Sequence, residues 1–508
     1  MYSEINSIGL FGLNAFPVTV QTSISVGQPT FDIVGMPDIA VQESKARIRS
    51  VLGQLDMKLL CGRVTVNLAP ASVRKIGSMF DLPIIVALMK MGGVINADLA
   101  DTAFIGELAL NGNIAPVNGA LSMTLTAAQN GIKRIFLPKA NAKEASVTDG
   151  IEVYGAEHIM QIVDFLNKKT ILSPEPRYVP ADNAANCYPD FADVMGQQAA
   201  KSAIEVAAAG SHNLLMLGPP GSGKSMLAKR IPSILPRITF AESIETTQIH
   251  SVAGIINPNE PLVTSRPFRS VSHTASEVGL VGGGSIPHPG ELSLAHNGIL
   301  FLDELPEFDR RVLESLRQPL ENGEITISRA SGSVNYPCDV MLVAAMNPCP
   351  CGNFGNPLKK CTCTPQKVSA YLNKISQPVL DRIDIQIEVK PVEYGDLSKR
   401  VPQESSERIA ERVQKARDIQ AKRFAGTNIK SNSGITSDII AQVCVLSPEA
   451  EEMLKAAFEK LGLSARAYDR ILKVARTCAD LSDSEIIQKN HISQAISFRS
   501  LDRKYWNR

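Results

Sequence analysis

The stretch Gly218-Pro219-Pro220-Gly221-Ser222-Gly223-Lys224-Ser225 constrains this chain more than any other. It matches G-x-x-x-x-G-K-[ST] in full, follows the apolar run Leu214–Leu217 and precedes the helix-like run from Met226 to Ile231. Strand, glycine-rich turn and helix in that order let backbone N–H groups converge on phosphate oxygens at a helix N-terminus. In that setting Lys224 reaches the β- and γ-phosphates, and the Ser225 hydroxyl offers an oxygen to Mg²⁺. The surrounding unit is expected to be α/β with a parallel sheet. Ile299–Leu302 and Met341–Ala345 are further short, continuous apolar runs, the pattern of strands covered on both faces.

These runs end in chemistry. Ile299–Leu302 delivers Asp303-Glu304 at its tip. An Asp there holds Mg²⁺, and the adjacent Glu is placed to polarise an attacking water. The third run ends in Met346-Asn347, whose amide can orient that water or sense the γ-phosphate. Phosphoryl transfer also needs positive charge on the γ-phosphate, often an arginine from a neighbouring subunit. Arg382, within Pro378–Asp384, is one candidate; the alternative is an ion pair with Asp381 or Asp384. Arg466 opens a C-terminal helix and can lean over the nucleotide, with Arg470 one turn further; the alternative for both is a solvated helix charge.

At roughly 150 residues per domain, 508 residues suggest about three domains. Residues 1–171 read as an α/β unit: Phe16, Val18, Val20, Ile24 and Val26 share one strand parity, as do Val64, Val66 and Leu68, while Ile48, Val51, Leu52 and Leu55 have helical spacing. Residues 172–190 are rich in Pro, Asn and Asp and read as a linker, or as a long loop packed on the core. Residues 191–395 hold the phosphate loop, and 396–508 read as helical. Lys+Arg 52 against Asp+Glu 51 gives a net charge of +1, so no bulk basic charge announces a nucleic-acid binder. No apolar run approaches the ~18–20 residues of a membrane span. The N-terminus lacks a basic region followed by an apolar core. Nine cysteines, four of them within fifteen residues, fit a reducing, cytoplasmic compartment better than a disulfide framework.

Phosphate loop, Asp-Glu strand, Asn strand, the Leu380–Asp384 segment and a lid arginine together resemble the AAA+ ATPases. The resemblance narrows at the segment from His296 to Phe308 and at Met346-Asn347-Pro348-Cys349-Pro350-Cys351-Gly352. Both look like the magnesium-chelatase-like group and, within it, the ComM/YifB-type competence proteins. Gly282-Gly283-Gly284, Pro289-Gly290-Glu291 and Ala475-Arg476-Thr477 also fit, whereas Ser272-His273-Thr274 departs where two successive histidines are expected. The resemblance implies ATP as cofactor and a hexameric ring that threads or remodels DNA, as in branch migration during natural transformation. A chelatase-type motor subunit and a protein-remodelling chaperone ring are the alternatives. Residues 1–171 resemble the proteolytic domain of Lon-type proteases through Ile105–Gly112, Pro116 and Gly119. Met79 stands at the position of the nucleophilic Ser, and Leu121 or Met123 near that of the Lys, so the hydroxyl and the amine base of Ser-Lys catalysis are both missing.

Two further stretches carry site expectations. Cys349, Cys351, Cys361 and Cys363 form a Cys-rich loop over 349–363, a candidate tetrahedral Zn²⁺ clip with no position left for water, or else four reduced thiols. The stretch from Glu324 to Tyr336 reads as two alternating strands around a small-residue turn. In the related AAA+ group such a hairpin points into the pore, where Arg329 would meet a DNA phosphate; the alternative is an edge hairpin packed on its own domain. Arg408, Arg412, Lys415, Arg417 and Lys422 are interspersed with acids and read as a solvated face.

Overall fold

The structure is a computed structural model that describes residues 1–57, 62–180, 188–329, 332–356, 359–391 and 403–506. The first unit is built on a seven-stranded mixed sheet. Its order is Thr30–Val34, Arg63–Ala69, Asn14–Ser25, Tyr2–Phe11, Thr102–Phe104, Arg134–Pro138 and Glu152–Ala156. Alternation fixes which face is inward: Val18, Val20, Val64, Val66 and Leu68 are buried as their parity requires. Val26 does not continue this pattern; the strand stops at Ser25 and Val26 is fully exposed. The helix Ile39–Gln54 buries Ile48, Val51 and Leu52, with Leu55 as its C-cap. Helix Asp81–Met91 is buried all round from Asp81 to Met89, which fits its apolar circumference. Phe104, Phe136 and Tyr154 stack across neighbouring strands at centroid distances of 5.1 and 5.0 Å.

The protease-like positions carry neither a hydroxyl nor an amine. Met79 is half-buried, Leu121 and Met123 are fully buried, and the Ser78 hydroxyl donates to Glu107. The first half of the expected linker is a packed segment: Glu175 N donates to Val153 O at 2.7 Å, and Tyr178 N to Ser146 O at 3.2 Å. Residues 181–187 and the expected 395/396 boundary lie outside the described residues.

The second sheet has five strands, all pairs parallel, ordered Phe268–Val271, Ile299–Leu302, Met341–Met346, Leu214–Leu217 and Ile385–Glu388. Its three apolar strands are buried along their whole length, as the continuous patterning predicts. C-terminal helices pack on one flank of this sheet. Ser406–Arg423 buries Ile409, Val413 and Ala416, and Ala465–Leu481 buries Ile471, Leu472, Ala475 and Cys478. Arg476, within the Ala-Arg-Thr string, is 1% exposed and donates to Asp480 and to the carbonyls of Ser484 and Glu485, so it is a structural cation.

Among the described residues, the two units meet at two main contacts. Glu144 accepts from Leu121 N at 2.9 Å and from the Ser251 hydroxyl on helix Phe240–Val252, while Gly119 N donates to Ser251 O at 3.2 Å. Burial pushes the Glu144 carboxyl above the usual range, opposed by these donors. In the second contact, the turn after Tyr2–Phe11 meets the hairpin: a Cβ on Gly12 would lie 2.2 Å from Val334, and one on Gly332 would lie 2.9 Å from the Phe11 ring.

Candidate functional site

Parallel strands align their carboxyl ends, and an open α/β sheet binds ligands in the crevice beyond them. Here that edge gathers the expected residues from three neighbouring strands. The phosphate loop leaves Leu214–Leu217 with Gly221 at φ +77° and Gly223 at φ +92°, backbone that a Cβ would strain. Gly218 is required by contact instead, because a Cβ there would lie 2.2 Å from Val389 O. The loop runs into helix Lys224–Ala228, earlier and shorter than the expected Met226–Ile231, and the chain then tightens into a 3₁₀ turn over Ile231–Ile234 that contains Pro232.

Lys224 Nζ donates to Gly218 O at 2.7 Å, Pro219 O at 3.0 Å and Asn347 Oδ1 at 3.2 Å. Burial pushes its ammonium below the usual lysine range, and Asp303 and Glu304 oppose that. Ser225 Oγ donates to Asp303 Oδ2 at 2.6 Å. A hydroxyl and a carboxylate at that separation are the oxygen pair a Mg²⁺ ion takes. The buried Ser222 hydroxyl has no hydrogen-bond partner among the described residues, so the loop fits a phosphate that accepts from it. Pro220, Gly221, Lys224, Ser225, Asp303 and Asn347 line a cavity of about 340 Å³.

Glu304 has left-handed backbone at φ +52°, which turns the chain out of its strand. Its Oε2 lies 3.4 Å from His273 Nδ1. The single histidine in the departing Ser-His-Thr string therefore meets the carboxylate expected to polarise water, a link that its position thirty residues upstream did not reveal. Tyr371, likewise not anticipated, is buried with its phenol against the Asn347 backbone, and burial raises its pKa.

The arginines lie elsewhere. Arg382 follows helix Gln377–Leu380 and precedes Ile385–Glu388, at the amino ends of the strands. It donates to Arg317 O at 2.8 Å, to Pro378 O at 2.8 Å and to Glu321, so neither Asp381 nor Asp384 is its partner. Arg466 stands 4.0 Å and Arg470 3.9 Å from Asp381, and Arg470 is 3.8 Å from Asp384. Arg382, Arg466, Arg470 and Lys473 share a second cavity of about 770 Å³. Arg466 thus does not close over the phosphates of its own chain. The helix that carries it docks at the opposite strand ends, a strand length of about 13 Å from the phosphate loop.

Arg329 ends the strand Glu324–Arg329, antiparallel to Gly332–Pro337, and donates to Gly284 O at 3.1 Å and Ser328 O at 2.9 Å. The turn residues 330–331 lie outside the described residues. The hairpin buries Ile325, Ile327 and Tyr336 in the core of its own unit, packs Val334 also against Gly12 of the first unit, and leaves Arg329 exposed.

All four expected cysteine sulfurs converge within 4.8 Å of one another. Cys349 Sγ is 3.4 Å from Cys351 Sγ and 3.7 Å from Cys361 Sγ, and the last two are 3.6 Å apart. Backbone N–H donors of Thr362 and Asn353 hold the Cys351 thiol below its ordinary range.

Among the described residues no helix is long and apolar enough to cross a membrane. Three family profiles match in succession: "Subunit ChlI of Mg-chelatase" over residues 20–141, "Magnesium chelatase, subunit ChlI" over 190–397 and "Magnesium chelatase, subunit ChlI C-terminal" over 403–499. Competence protein ComM of Haemophilus influenzae is 43% identical over 97% of this chain and 96% of its own length. YifB of Escherichia coli is 42% identical over 99% of this chain and 97% of its own. A magnesium-chelatase 67 kDa subunit of Chlorobaculum parvum is 27% identical over 31% of this chain and 23% of its own length. With near full-length relatives and a complete phosphate-loop edge, the chain belongs to the ComM/YifB family of magnesium-chelatase-like AAA+ ATPases.

Proposed function

We propose that this chain is one subunit of a cytoplasmic, homo-hexameric ATPase ring that moves along single-stranded or branched DNA without sequence preference. One observation carries the ATPase part. Lys224, Ser225, Asp303, Glu304 and Asn347, scattered over more than a hundred residues, meet at the carboxyl edge of one parallel sheet. Backbone N–H groups of Gly221 to Ser225 and the Lys224 ammonium bind the phosphates. Ser225 and Asp303 would hold Mg²⁺, which neutralises charge on the β- and γ-oxygens when bound. Glu304 accepts a proton from the attacking water, and His273 steadies its carboxylate. Asn347 aligns that water and links it to Lys224. Arg382 and Arg466 serve the nucleotide of the neighbouring subunit, since both line the cavity at the opposite strand ends.

The DNA part rests on the relative named a competence protein and on Arg329, exposed at the tip of its hairpin. Repeated around a ring, one arginine per chain makes a concentrated positive girdle. The four-cysteine loop enters this reading as a structural Zn²⁺ clip outside the hydrolytic chemistry. ATP turnover measured with and without branched or single-stranded DNA tests the proposal. Stimulation that falls steeply with salt is expected, with Glu304→Gln binding ATP but losing turnover by about 10²–10⁴-fold. Substantial turnover by Glu304→Gln overturns the site, and stimulation by a protein partner alone favours a chelatase-type or chaperone motor.

A further inference from the structure

We infer that the four-cysteine loop is a Zn²⁺ clip that braces the phosphate loop, so that zinc occupancy and nucleotide affinity are thermodynamically coupled. The inference rests on the nucleotide-binding reading above and adds a second ligand that regulates the same site.

The sulfur geometry points to the metal. Zn–S bonds of about 2.3 Å in a tetrahedron put the sulfurs about 3.8 Å apart; the pairs among Cys349, Cys351 and Cys361 span 3.4 to 3.7 Å, and Cys363 Sγ lies within 4.8 Å of all three. A disulfide needs about 2.05 Å, and all four cysteines are free thiols. The sulfurs also accept backbone N–H bonds, from Phe354 to Cys349 at 3.3 Å and from Cys363 to Cys361 at 3.4 Å. Such outer donors orient thiolate ligands around a metal. Four sulfurs fill the coordination sphere, so the site is structural.

The clip is joined to the nucleotide site in three directions. Its first ligand lies two residues after Asn347. Gly352, turned by φ +77° and tied by its N–H to Cys349 O at 2.9 Å, packs so closely on the phosphate loop that a Cβ would lie 2.3 Å from Pro220 Cδ. Beyond the last ligand, Thr364 caps helix Pro365–Leu372, which carries Tyr371 against Asn347. Behind the clip, Phe354 meets Tyr505 edge-on at 6.0 Å, and Tyr505 meets Trp506 at 6.2 Å. Trp506 Nε1 donates to Leu372 O at 3.4 Å. A metal that fixes Cys349 to Cys363 therefore fixes Gly352 against Pro220. A nucleotide that orders the phosphate loop fixes the same contact from the other side, and linkage makes the two effects reciprocal.

The test uses the full chain, purified without chelator. Metal analysis is expected to give one zinc per chain; well under half a zinc overturns the clip. Zinc release is then provoked with a mercurial and followed with a metallochromic dye. A non-hydrolysable ATP analogue with Mg²⁺ is expected to slow release about 5-fold or more. In Lys224→Ala the zinc count stays at one and the slowing disappears. Conversely, Cys361→Ser and Cys363→Ser should bind the analogue more weakly by a similar factor. Zinc present and analogue bound, with an unchanged release rate, overturns the brace. A wild-type chain that carries zinc but binds no analogue overturns the coupling through failure of the nucleotide reading, and the zinc count stands apart from it. The release measurement on wild-type protein keeps the test decisive even if the serine variants fold poorly.

Discussion

Gly352→Ala isolates the contact between the cysteine loop and the phosphate loop, and its cost can be worked out in two parts. Gly352 sits at φ +77°, where a Cβ costs about 1–2 kcal/mol in backbone strain. The same Cβ would lie 2.3 Å from Pro220 Cδ and 2.7 Å from Pro220 Cγ, so one side must retreat by more than an ångström to restore ordinary contact. Overpacking of that kind costs about 1–3 kcal/mol. Gly150 supplies the matched control: φ is +78° and nothing lies within 4 Å of a Cβ there, so Gly150→Ala bears the strain without the collision. Both variants should melt lower, by about 2–4 °C per kcal/mol. Only Gly352→Ala should lose nucleotide affinity. If the phosphate loop absorbs about 1.4–2.8 kcal/mol of the collision, a fluorescent ATP analogue binds about 10- to 100-fold more weakly. Titration of that analogue against the two variants and the wild type is the assay. Equal affinity in all three, with similar melting shifts, would refute the idea that Gly352 supports the phosphate loop.

Two further outcomes follow from the geometry. On the reading proposed above, in which Arg382 serves the neighbouring subunit, Arg382→Ala should bind ATP without hydrolysing it. Mixed with an equal amount of Lys224→Ala, which still offers Arg382, it should recover up to about a quarter of wild-type turnover, since that fraction of random interfaces pairs an intact loop with an intact arginine; a mixture with no activity argues that Arg382 only anchors Glu321. Glu144→Gln tests the buried acid between the two units. Burial raises its folded pKa, so the native state holds its proton more tightly than the unfolded chain does. That contribution favours folding at acid pH and is lost as pH rises through the raised pKa. The amide keeps an acceptor for Leu121 N and Ser251, so Glu144→Gln should raise the melting temperature at pH 8 and flatten its fall between pH 5 and 8. Equal pH slopes in variant and wild type would locate the titration elsewhere.

The hydrolytic edge was legible because its chemistry needs contiguous residues in fixed order. A phosphate loop requires strand, glycines, Lys224 and Ser225 in sequence, and Asp303-Glu304 must terminate a buried strand. The parallel sheet then brings these tips together without further instruction. Docking was not legible. Helical periodicity in Ala465–Leu481 predicts a helix with a buried stripe, but a stripe says nothing about which end of the sheet it covers, so the position of Arg466 near Asp381 could not be read from it. The same limit hid Pro220 against Gly352, His273 against Glu304 and Trp506 behind the cysteines, all pairs joined by tertiary approach.

Net charge shows how far a sum over the sequence can mislead about binding. A chain of +1 looks indifferent to DNA, and the basic residues of Ser406–Arg423, interspersed with acids, read as a solvated face. In the fold, two arginines of that helix are already paired within the chain. Arg412 donates to Glu205 at 2.6 Å and to Glu404 at 2.5 Å, and Arg423 pairs with Asp480 at 2.6 Å. Intramolecular pairing of this kind removes charge from any outward field. On the reading proposed above, DNA affinity rests on few cations in the pore, Arg329 foremost, each weak alone and effective by repetition around a ring. Binding should then depend on assembly. Conditions that dissociate the ring should abolish DNA retention at a salt concentration where each folded subunit still binds ATP, and DNA bound tightly by isolated subunits would contradict a pore contact.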